Sequence, residues 1–81
     1  MTVRVLFFAA HRELLGASET IVDLPDGATV GELVQALRAR GAPWDLIPDR
    51  PAVAVNRKYA DGSHTLGNGD EVAVIPPVAG G

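Results

Sequence analysis

The chain has 81 residues, 47% of them apolar, and a formal net charge of −3. That length holds one domain around one small core, and so modest a charge marks neither a disordered chain nor a nucleic-acid surface. There is no cysteine, which excludes a disulfide staple, a thiolate zinc site, an iron–sulfur cluster, a cysteine nucleophile and a cysteine persulfide.

The seven basic residues are scattered and aromatics are few, so no nucleic-acid partner is expected. No apolar stretch approaches the length of a membrane span and no signal-peptide pattern opens the chain. The expectation is a soluble, cytoplasmic protein with no membrane partner. His11 and His64 lie in turn-like contexts without ligand spacing, which predicts surface histidines and no metal site.

Residues 2–9 alternate with a period of two and read as a strand, with Val3, Val5 and Phe7 on the core face and Arg4, Leu6 and Phe8 on the other. His11 to Gly16 reads as a short helical turn closed by a left-handed glycine. A second strand spans Glu19 to Leu24, with Val22 and Leu24 inward, and Pro25-Asp26-Gly27 is a turn. The clearest helix follows. Thr29 and Glu32 form a capping box, and Val30, Leu33, Val34 and Leu37 share one face. Gly41 closes it.

Residues 42–50 are irregular, with Trp44, Leu46 and Ile47 expected to cover one end of the core. A third strand spans Ala52 to Asn56 with Val53 and Val55 inward. Asp61-Gly62 is a turn, Ser63 to Leu66 is expected as a short edge strand, and residues 67–70 form a tight turn. The last strand is Glu71 to Ile75, with Val72 and Val74 inward. A hairpin, a crossover helix and returning strands predict an α+β fold: the β-grasp, or ubiquitin-like, mixed sheet with one main helix on one face. In that arrangement the first and last strands lie parallel in the middle of the sheet.

The division expected is a β-grasp domain over residues 1–75 and an extended tail over residues 76–81. Pro76 and Pro77 have fixed φ and no amide donor, so they cannot continue a ladder and leave the domain as a semi-stiff arm. Six extended residues reach about 20 Å. Val78 and Ala79 lead to Gly80 and Gly81, which pass a channel too narrow for any Cβ. The arm thus presents an unhindered carboxylate at Gly81, a candidate electrophile once a partner activates it. With one helix, one sheet face stays uncovered, and Phe8 and Ile75 are expected to form an apolar docking patch at the arm's root.

These residues resemble the MoaD/ThiS group of sulfur carriers, the small subunits of molybdopterin synthase, over the whole chain. The likeness lies in Val5-Leu6-Phe7-Phe8-Ala9 with Arg12-Glu13-Leu14 and Gly16, Ala28-Thr29-Val30, Ala54-Val55-Asn56, Leu66 with Gly69-Asp70-Glu71-Val72, and most specifically Pro76-Pro77-Val78-Ala79-Gly80-Gly81. The Phe-Phe-Ala start and Pro-Pro-Val end are similar to the molybdopterin branch. The resemblance implies that an E1-like adenylyltransferase uses ATP to adenylate Gly81, and that sulfur then replaces AMP to give a thiocarboxylate. It further implies that the large synthase subunit takes in the arm from Pro76 to Gly80, with Phe8 and Ile75 docking, and that the sulfur passes to a pyranopterin precursor. Two large and two small subunits would form a heterotetramer. The chain itself would bind no cofactor and supply no acid, base or metal. Alternatives are a carrier for thiamine or tRNA thiolation, a ubiquitin-like modifier joined through Gly81 to lysines, and an interaction module with an inert tail.

Overall fold

The computed structural model describes residues 1–76. Its first strand, β1 (Thr2–Phe7), buries Val3, Val5 and Phe7 on one face and turns Arg4 outward. It pairs antiparallel with β2 (Glu19–Asp23) and parallel with β5 (Glu71–Ile75). β5 in turn pairs antiparallel with β3 (Ala52–Val55), and β3 with β4 (Lys58–Ala60). The order is therefore β2-β1-β5-β3-β4, a mixed β-grasp sheet with β5 held on both sides.

Between β2 and β3 runs α2 (Val30–Arg38), whose Val30, Leu33, Val34 and Leu37 are buried. The helix begins where expected because the Thr29 hydroxyl accepts from the Glu32 amide at 3.2 Å, satisfying one otherwise orphaned donor. Gly41, with φ 84°, ends the helical path. The inward residues of β1, β3 and β5 meet this helix face in one cluster with Ile47 and Leu66. Trp44 closes one side, 5.7 Å from the Phe7 ring centroid.

Five local expectations need correction. β1 stops at Phe7 rather than Ala9, because Phe8 is the N-cap of α1 (Ala9–Leu15), a longer helix than the turn expected. The chain reverses at Asn56 and Arg57, with φ of 50° and 73°, a primed turn that matches strand twist and starts β4 at once. Ser63 to Leu66 is not an edge strand. The backbone of residues 62–66 serves the start of α2 instead: the Val30 amide donates to His64 O, Gly31 to Gly62 O, and Leu66 to Ala28 O. Leu46 is exposed while Ile47 beside it is buried, because the short 3₁₀ turn Trp44–Leu46 rotates Leu46 outward. Its end is fixed by the Arg38 guanidinium, which donates to the carbonyls of Asp45 and Ile47. Lastly, His11 is buried, since α1 begins early enough to bring it, with Leu15, onto the helix face that packs inward.

Candidate functional site

The register of the ladders assembles the face that α2 leaves uncovered. Residues directly opposite one another point to the same side. Glu19, Leu6, Ala73, Ala54 and Tyr59 thus form one row across all five strands, and Ile21, Arg4 and Glu71 form the next. Ala52 pairs with Ile75 at the row where β5 ends. Small residues in the middle and Ile21 and Tyr59 at the flanks, 56% and 81% exposed, give a shallow apolar surface. Arg4 spans it, ion-paired with Glu71 and 4.0 Å from Glu19. Such exposed pairs add about 0–1 kcal/mol to stability, so they orient the surface more than they hold the fold.

Phe8 is 47% exposed and comes directly after the last residue of β1. Ile75 and Pro76 are each half-buried at the parallel end of β5. These three expected contact residues therefore lie at one end of the sheet. Pro77, Val78, Ala79, Gly80 and Gly81, including the expected reactive terminus, lie outside the described residues. The breadth of the face goes beyond what the sequence reading predicts. Ile21 is legible there, being out of phase with inward Val22; Tyr59 is not, because β4 does not read as a strand.

Two hollows lie among the described residues. The larger, about 950 Å³, lies beside the first turn of α2 and the segments 49–51 and 61–63. Its carboxylates are occupied by neighbours: Asp49 accepts from Gln35 and pairs with Arg38, and Glu32 accepts from the Thr29 hydroxyl. Asp61 takes the Ser63 hydroxyl and amide, and these bonds hold its pKa below the usual 3.8. The smaller, about 190 Å³, is lined by His11, Pro48, Arg50, Pro51, Ala52 and Ile75. No helix in the described residues is long and apolar enough to cross a membrane.

Comparison with known proteins agrees with the fold. The sequence profile of the ThiS family matches residues 5–81. The molybdopterin synthase sulfur carrier subunit of Escherichia coli is 42% identical over 83 residues, covering 98% of this chain and 99% of its own. Small archaeal modifier protein 3 of Haloferax volcanii is 38% identical, with both chains covered in full. A solved structure from Pyrococcus furiosus, assigned by name to subunit 1 of molybdopterin converting factor, superposes with a TM-score of 0.83. It is 32% identical and covers 96% of this chain and 99% of that one.

Proposed function

This chain belongs to the ThiS family, and we propose that it is the sulfur-carrier subunit of a molybdopterin synthase, working through Gly81. A carboxylate is a poor electrophile until one oxygen becomes a good leaving group. An E1-like partner supplies that by transferring AMP from ATP to the Gly81 carboxylate, with release of pyrophosphate. Sulfide-level sulfur from a donor then attacks the acyl carbon, AMP leaves, and a thiocarboxylate remains, which the large subunit draws into its own active site. There the sulfur passes to a pyranopterin precursor, and water restores the carboxylate. ATP, catalytic groups and oxyanion donors all belong to the partners, and the cytoplasm, where ATP is at hand, is the fitting compartment.

One observation carries this reading. The family match runs to Gly81 on a body whose central strand, β5, leads straight into Pro76 beside exposed Phe8. In this reading residues 1–75 are the body and residues 76–81 the arm. Phe8, Ile75 and the open face dock, while Pro76 to Gly80 thread the partner's channel. Two large and two small subunits would make the working assembly.

The likeness to an archaeal modifier protein favours a second reading, in which the same activated Gly81 is joined to lysines of other proteins. The deciding experiment supplies ATP, an activating enzyme, a sulfur source and the large subunit. Dithiolene formation on the pterin supports the carrier, and its loss in a chain lacking Gly81, with the fold retained, assigns the chemistry to that residue. Lysine-linked conjugates without sulfur transfer would support the modifier.

A further inference from the structure

We propose that the recess at the root of the arm is a receptor for an acidic side chain of the protein that takes the arm, an inference that rests on the carrier reading above. Its place is the first reason. Ala52 and Ile75, which line it, are paired at the end of the β3–β5 ladder, and Ile75 is the last residue of β5 before the arm. A partner seated on the open face and holding the arm therefore covers this recess too.

Its charge is the second reason. Arg50 is exposed and makes no ion pair among the described residues. No carboxylate lines the recess, and the adjoining Asp49 is already held by Arg38 and Gln35. The remaining walls are Pro48, Pro51, Ala52 and Ile75, which offer a carboxylate no competing dipoles. Once a partner covers the site and removes water, an arginine–carboxylate pair gains strength, and its forked geometry fixes the docking angle.

The third reason is His11. Its ring lines the recess and is only 6% exposed, yet its Nδ1 is buried without a hydrogen-bond partner among the described residues. Burying an imidazole this way costs stability that an apolar residue of similar volume would not. A carboxylate entering the recess comes beside a polar ring that makes no side-chain hydrogen bond among the described residues. Two groups of the right polarity, one of them otherwise unexplained, thus converge where the arm begins.

The test is calorimetric titration of the full chain with the large synthase subunit of the same organism, alongside thermal melting of every variant. Arg50→Gln should weaken binding about 10- to 100-fold, the range of a charge-assisted hydrogen-bonded pair, whereas the same change at exposed Arg57, in the β3–β4 turn, leaves it nearly unaltered. His11→Leu should weaken binding about 5-fold with no loss of melting temperature, a separation that a merely structural histidine would not give. Arg50→Glu should be rescued by exchanging the facing acidic residue of the large subunit for arginine. Unchanged binding by Arg50→Gln would overturn the inference. So would tighter binding, which would mean that Arg50 holds the chain's own terminal carboxylate. No binding by the unaltered chain would instead remove the carrier reading, and this inference with it.

Discussion

Phe7 and Val74 are the last residues paired across the parallel β1–β5 ladder, and both are buried. The residues that follow, Phe8 and Ile75, mark the level at which the two segments part. One turns into α1 and the other leads into Pro76. Pro76 therefore follows directly on the central strand of the sheet, level with an exposed aromatic ring.

Phe8→Asp should weaken association with the large subunit at least tenfold, because it places a charge in an apolar contact. It should not lower the melting temperature. Phe8 is an N-cap in the extended region with no side-chain cap bond, and aspartate is among the preferred residues there. A large fall in melting temperature would show that the ring belongs to the core.

Val5→Asp should do the reverse. Val5 is fully buried between β2 and β5, and an unpaired charge there costs several kcal/mol of the about 5–15 kcal/mol that a small domain holds. Circular dichroism of the variant at 25 °C should show an unfolded chain. A cooperative melt near that of the parent would contradict the assignment of strand faces.

Thr29→Ala removes the hydroxyl that accepts from the Glu32 amide. The loss should be about 1 kcal/mol in urea unfolding, with no change in the slope of the transition. A loss too small to measure would mean that the His64 and Gly62 carbonyls, which take the next amides, suffice to start α2.

Asp70 ties the last turn together, accepting from the Gly67 amide at 2.7 Å and from the Asn56 side chain at 2.9 Å. The Gly67 amide first, and Asn56 second, hold its pKa below the usual 3.8. A depressed carboxylate pKa stabilises the fold above the unfolded value, and that contribution fades as pH falls through the folded one. Asp70→Ala should therefore cost about 1 kcal/mol at pH 7, and the difference from the parent should shrink as pH falls below 3.8. A difference that stays constant down to pH 2 would assign the loss to packing rather than charge.

Most of the architecture is legible because its signals are local. Alternation in β1 and β5 and the capped, amphipathic α2 state their own burial. The features that escape are set by partners distant in sequence. Ser63 to Leu66 has the look of a strand, yet its carbonyls and amides are claimed by the start of α2. The strand β4 escapes because Asn56 and Arg57 look like a strand end running on into a loop, and only their left-handed φ values turn the chain back. His11 is a polar residue on the buried face of a short helix, and nothing in its neighbours announces that the Arg50 segment lies across from it. At the arm's root, Phe8 and Ile75 are readable from strand parity alone, whereas the recess beside them joins α1, the 48–51 segment and β5.

The most direct test of the central claim is the intact mass of the untagged protein recovered from its own cells, with fragmentation to locate any change. The carrier account predicts that one terminal oxygen of Gly81 is replaced by sulfur in part of the population, and that this fraction grows on incubation with ATP, the activating enzyme and a sulfur source. A mass that stays unmodified under those conditions, with Gly81 found instead in amide linkage to lysines of other proteins, would contradict it.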